Sequence, residues 1–205
     1  MIILGITGGS GSGKTTALAA VRTLGGLTLD CDEIYHRLLV SSPGLLAASD
    51  ARFPGMVRNG QLDRKRLGSL VFGDKAALLD LNRIAHGAVK AEVVARLAGC
   101  TKSLAAIDAI ALFEGGLAEL CTATVAVTAP RPVRIARLMA REGISQAYAE
   151  ARINAQPEDG EFRRRCTYTL ENNGGQGEFY QKALALFQSL IPEAHIDIHK
   201  EDNHE

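Results

Sequence analysis

Between an apolar run, Ile2-Ile3-Leu4-Gly5-Ile6, and a helix-forming run, Ala17-Leu18-Ala19-Ala20-Val21, lies the sequence Gly8-Gly9-Ser10-Gly11-Ser12-Gly13-Lys14-Thr15. Aliphatic and β-branched residues in a short continuous run read as a buried parallel strand, so the order is strand, glycine-rich loop, helix. Glycine reaches backbone conformations closed to other residues, which lets successive N–H groups and a helix N-terminus converge on phosphate oxygens. The spacing G-x-x-x-x-G-K-T therefore predicts a site for a nucleoside triphosphate. In it Gly9, Gly11, Ser12, Gly13 and Thr16 frame the phosphates, Lys14 reaches the β and γ groups, and the Thr15 hydroxyl ligates magnesium.

The rest of the chain bounds what that site can serve. At 205 residues and 46% hydrophobic content the chain can bury one substantial core, or one core with a small appended lobe. With 23 Lys and Arg against 23 Asp and Glu, no global field draws it to nucleic acid or an acidic membrane, so neither is an expected partner. Cys31, Cys100, Cys121 and Cys166 show no C-x-x-C pairing, which predicts reduced thiols in a cytoplasmic protein. The chain opens on its first strand, so no secretory leader is expected. Apolar runs such as Ser103 to Phe113 are broken by Asp108 and fall short of the roughly 18 residues that cross a bilayer.

Further strands are expected at Leu27-Thr28-Leu29, Leu104 to Ile110, Thr124 to Thr128 and Tyr168-Thr169-Leu170, with helices over Glu33–Val40, Pro132–Arg141 and Glu178–Leu190. Alternation on this scale predicts an α/β fold with a mostly parallel sheet, whose ligands bind beyond the carboxyl ends of the strands. Asp30, Asp32 and Asp108 would converge there with the loop. Leu45 to Gly99 reads as a helical insertion, with turns at Phe53-Pro54-Gly55 and Asn59-Gly60 and few strand signals. A basic segment follows, carrying Arg134, Arg137, Arg141, Arg152, Arg163, Arg164 and Arg165. The chain contains no Asn-Lys-x-Asp motif of the GTPase switches. An acid pair, a helical lobe and a run of arginines instead suit phosphorylation of a small molecule.

Several segments, in order, resemble the signatures of the dephospho-coenzyme A kinase family. They are Thr7 to Thr15, Leu29-Asp30-Cys31-Asp32, Asn59 to Phe72, Asp108-Ala109-Ile110-Ala111-Leu112-Phe113-Glu114 and Glu171-Asn172-Asn173-Gly174. The resemblance runs from Ile2 to about Leu190. It implies a three-layer α/β/α P-loop kinase core over about 1–44, 100–136 and 166–190. To this it adds an acceptor lobe over about 45–99, a lid over about 137–165 and a polar tail over 191–205. It also implies that ATP with magnesium phosphorylates the ribose 3′-hydroxyl of dephospho-coenzyme A. The chain departs from the family in having His86-Gly87 for His-Pro, and Ile110-Ala111-Leu112 for Pro-Leu-Leu.

By that resemblance Asp32 receives the proton of the attacking hydroxyl, and Arg141, assisted by Arg137, neutralises charge on the transferring group. Asp63, Arg64, His86, Leu112, Phe113 and Glu114 are implied on the acceptor side, Asn172 and Asn173 near the nucleotide. Residue type alone leaves other readings open. Asp32 also suits a helix N-cap, Asp63 a cap, Leu112 and Phe113 core positions, His86 a helix-end hydrogen bond, and the asparagines a plain turn. Asp30 suits strand-end hydrogen bonding or a water-mediated magnesium contact, and Asp108 a magnesium contact or a buried structural carboxylate. Cys31, between two acids, is expected to be a poor thiolate, and His195, His199 and His204 to sit in a solvated tail.

Overall fold

A computed structural model describes residues 1–71 and 73–191; Phe72 and the tail histidines lie outside the described residues. Five parallel strands form one sheet in the order β2-β5-β1-β6-β7, namely Leu27–Asp30, Leu104–Asp108, Ile2–Thr7, Ala123–Thr128 and Tyr168–Glu171. Leu4, Ile6, Ala105, Ile107, Val125 and Val127 are fully buried, as expected of central strands covered on both faces.

One face packs on α1 (Lys14–Thr23) and α9 (Gln176–Leu190), whose Val21, Phe179 and Phe187 fill the space over Leu4, Ile6 and Val125. The other face packs on α2 (Cys31–Ser41) and α5 (Lys75–Ala98) through Ile34, Val89, Val93 and Leu97. The earlier half of α5 leaves the sheet. Its Ala77, Leu81 and Ile84 join a separate cluster with Phe53, Met56, Leu67 and Val71, which belong to or adjoin α3 (Pro43–Arg52) and α4 (Arg64–Val71). α5 runs unbroken through Gly87, where a proline would remove a helical hydrogen bond.

The insertion is helical apart from one short hairpin, in which Val57–Arg58 (β3) and Gln61–Leu62 (β4) pair antiparallel. Asn59 and Gly60 turn between them with φ of 51° and 73°, the conformation of a two-residue hairpin turn. The strand begun at Leu104 ends at Asp108 instead of Ile110. The Ala109 N–H still reaches the Ile6 carbonyl, but Ile110 turns away and its carbonyl accepts from the Thr7 hydroxyl at 3.1 Å.

The basic segment forms α6 (Arg131–Glu142), α7 (Gln146–Asn154) and α8 (Asp159–Arg165). Gly143, at φ 67°, ends α6, Ser145 caps α7, and Leu138, Ala149 and Ile153 pack the two helices together.

Candidate active site

Thr7, Asp30 and Asp108 end three adjacent strands, and Asp30 pairs with Asp108 in the register. The glycine-rich loop crosses above them. It is held from behind by side chains that bond its carbonyls and, at Ser10, its N–H and hydroxyl. Arg134, 4% exposed, donates from Nε to the Ser10 carbonyl at 2.9 Å and from Nη1 to Asp159 at 2.9 Å. Gln156 accepts the Ser10 N–H at 2.8 Å and donates to the Ser10 hydroxyl at 2.7 Å. Arg137 donates to the carbonyls of Gly11 and Ser12 at 3.3 and 3.4 Å, and Asn172 donates to Ser12 at 2.8 Å while accepting from Arg137 at 3.0 Å. A Cβ at Gly9 would lie 1.9 Å from Arg134 Nη2, and one at Gly13, already at φ 113°, 2.2 Å from the Asn172 amide. Only glycine admits these braces.

With its carbonyls held behind it, the loop leads into α1, whose first N–H groups have no intrahelical acceptors and favour an anion. In front lies a cavity of about 600 Å³ lined by Gly11, Gly13, Lys14, Thr15, Thr16 and the acids Asp30, Asp32 and Asp108, together with Arg137, Arg141 and Arg152. Lys14 donates to the Gly8 carbonyl at 3.0 Å and stands 3.9 Å from Asp108.

Burial pushes the Asp108 carboxyl up to about 7; Lys14 opposes this and the charges of Asp30 and Asp32 add to it. Its folded value exceeds its unfolded value, so its charge costs stability progressively as pH rises from about 4 through about 7. Asp108→Asn is therefore expected to raise Tm at pH 8 by several degrees and by less at pH 5, in calorimetry without nucleotide. The Cys31 thiol is pushed up to about 12, chiefly by burial and only then by Asp108, Asp30 and Asp32. The neighbouring acids are the smaller cause.

Asp30, not Asp32, caps α2: its carboxylate accepts the Glu33 N–H at 3.1 Å. Asp32 lies one position inside the helix with an exposed side chain. It also lines a second cavity of about 250 Å³, with Cys31, Tyr35, Asn82, His86, Val89, Ile110 and Leu117. Asp32 and Ile110 are common to both cavities and form the boundary between them. Burial raises the Tyr35 phenol against the opposing charge of Arg64.

The remaining sequence-derived residues separate. His86 lines the second cavity. Asp63 caps the first turn of α4, accepting the Arg66 N–H at 3.0 Å, and neither it nor the exposed Arg64 lines either cavity. Leu112 is wholly buried against the central strand, where a Cβ at Gly5 would meet it at 2.8 Å. The Phe113 ring lies 4.2 Å beneath the Arg165 guanidinium, which also bonds Glu114. Burial pushes the Glu114 carboxyl up, but the Arg165 hydrogen bond, with its own backbone N–H and nearby cations, holds it below the usual range. Arg137 and Asn172 both line the 600 Å³ cavity, but their polar groups are engaged with the loop itself. Asn173 bonds Glu171 at 3.1 Å outside the cavity. Arg152 and Gln176 line the cavity and Arg134 and Gln156 brace its loop, and no local sequence pattern marks any of the four as a contact.

The dephospho-CoA kinase family model matches residues 2–178. A dephospho-CoA kinase of Moorella thermoacetica is 38% identical over 93% of this chain and 92% of its own. One from Syntrophotalea carbinolica is 34% identical over 94% and 93%. A crystal structure of a Thermus thermophilus protein superposes with a TM-score of 0.79 at 34% identity, covering 93% of this chain and 98% of that one. With its phosphate loop, parallel sheet and nearly full-length sequence similarity, the chain belongs to the dephospho-CoA kinase family.

Proposed function

We propose that this kinase transfers the γ-phosphoryl group of ATP to the ribose 3′-hydroxyl of dephospho-coenzyme A, giving ADP and coenzyme A. The observation that carries this reading is Asp32 on the wall shared by the phosphate cavity and the second pocket. A hydroxyl entering from the second pocket would meet Asp32 where a phosphoryl group held by the loop is in reach. At about 250 Å³ that pocket would take only the reacting end of so large an acceptor, with residues 45–99 supplying the surface for the remainder.

The acceptor oxygen forms a bond to the γ phosphorus as the bond from that phosphorus to the β,γ-bridging oxygen breaks. The hydroxyl proton passes to Asp32, whose main contribution is orientation, because transfer comes late in a loose transition state. The α1 N-terminus and Lys14 hold the β and γ phosphates, and Arg141 covers them from the 137–165 segment. Closure of that segment over ATP would exclude water.

Among the described residues no group of three or more His, Cys, Asp or Glu is assembled to hold a metal ion. The Thr15 hydroxyl and Asp108 at the cavity wall fit a magnesium ion that arrives with the triphosphate and retains much of its water. When bound, it would neutralise charge on the β and γ oxygens. Among the described residues no helix is long and apolar enough to cross a membrane.

The test is ADP release by the purified protein with MgATP. Dephospho-coenzyme A should raise it by orders of magnitude over buffer, and AMP, cytidine and uridine should not. Equal turnover without the coenzyme precursor would remove this reading.

A further inference from the structure

We propose that Arg152 is a further phosphate-contacting residue of the nucleotide site, presented as a pair with Arg141 by the carboxylate of Glu142. The inference rests on reading the larger cavity as the ATP site. Arg141 lies in the last turn of α6 and Arg152 in the last turn of α7, yet both line that cavity. Glu142 joins them, one oxygen accepting from Arg141 Nη2 at 2.5 Å and the other from Arg152 Nη1 at 2.6 Å.

Two guanidinium groups held side by side repel each other, and an anion between them offsets that repulsion. The Arg141 hydrogen bond, against a smaller opposing effect of burial and with help from Arg152, holds the Glu142 carboxyl below its usual range. The bridge is thus ionised at neutral pH. The arginine side chains are 57% and 39% exposed, so the bridge adds little to stability. Its consequence is geometric. Each guanidinium has five N–H donors in a planar fork, and Glu142 takes one direct hydrogen bond from each, leaving others for phosphate oxygens. Contacts among Leu138, Ala149 and Ile153 fix α7 on α6, so the pair would move as a unit when the segment closes.

Simple charge counting and this arrangement predict opposite signs for one variant. Removing a negative charge near the phosphates should tighten ATP binding if Glu142 acts only through its field. If Glu142 aligns the pair, Glu142→Gln should weaken binding.

The experiment is MgATP titration calorimetry without acceptor, which keeps it independent of the acceptor's identity, followed by steady-state kinetics. Arg152→Ala is expected to raise the Kd for MgATP about tenfold, the scale of one charge-assisted phosphate contact, and to lower kcat. KM for dephospho-coenzyme A should change little, and Arg152→Lys should recover part of the loss. Glu142→Gln is expected to weaken MgATP several-fold in the parent and to have little effect in an Arg152→Ala background. Lys182→Ala, in an exposed pair on α9, serves as the control. Thermal melts show that each variant is folded, and Arg152→Lys carries the test if the alanine variant is not. MgATP affinity and kcat within twofold of the parent for the folded Arg152 variant would overturn the proposal. Tighter MgATP binding by Glu142→Gln would overturn the aligning role.

Discussion

Asp32→Asn is expected to leave MgATP binding within about twofold and to lower kcat by about 10³-fold, within the range for loss of a positioned acid–base group. The asymmetry follows from the residue's position. Asp32 stands in the first turn of α2 with its side chain exposed between the two cavities, and it is not needed as the cap because Asp30 performs that task. Asparagine keeps the size and one acceptor oxygen but cannot take a proton, so the acceptor should still enter and react slowly. Asp30→Asn is the informative companion. Asparagine caps helices nearly as well as aspartate, so that variant should fold and retain most transfer. Single-turnover measurements separate chemistry from product release; unchanged transfer by Asp32→Asn would assign the proton to another group.

How much of this was legible in the chain varies with the distance over which each feature is built. The loop was readable because strand, glycines, lysine and helix follow one another, so their spacing carries their geometry. The braces behind it were not, since Ser10 and Gln156 stand 146 residues apart and no local pattern joins them. Arg134 and Arg152 were visible as members of a basic segment. Which arginine faces a cavity and which lies beneath the loop depends on how α6 docks, and a charged residue in a helix carries no mark of that. The pair Asp30 and Asp32 shows a finer limit. Both are aspartates and either can cap a helix, and the choice turns on whether α2 begins directly after Asp30 or two residues later. The β3–β4 hairpin had its turn in plain view at Asn59-Gly60, but two residues on each side are too few for strand periodicity. Leu112 and Phe113 follow a strand that stops at Asp108, and the turn at Ile110 determines which of them enters the core.

On the proposed reading Lys14 supplies a preorganised charge to the transferring group, so Lys14→Ala is expected to lower transfer by at least about 10²-fold and to weaken MgATP. A second consequence lies in stability. The Lys14 ammonium is the group that holds the Asp108 carboxyl down against burial and against Asp30 and Asp32. Without it that carboxyl rises further above its unfolded value, so the folded state holds its proton to higher pH. Below about pH 4 both states are protonated and the substitution has little effect through this route. As pH rises the unfolded chain releases the proton and the folded chain does not. The Tm of Lys14→Ala should therefore fall more steeply than that of the parent between pH 6 and 9. Adding Asp108→Asn should remove the excess slope and restore stability at pH 8, while transfer stays lost. A double variant that melts with the same steep pH dependence would mean that the excess slope arises elsewhere than in Asp108. Recovery of transfer along with stability would mean that Lys14 acts by neutralising Asp108 and not by holding phosphate.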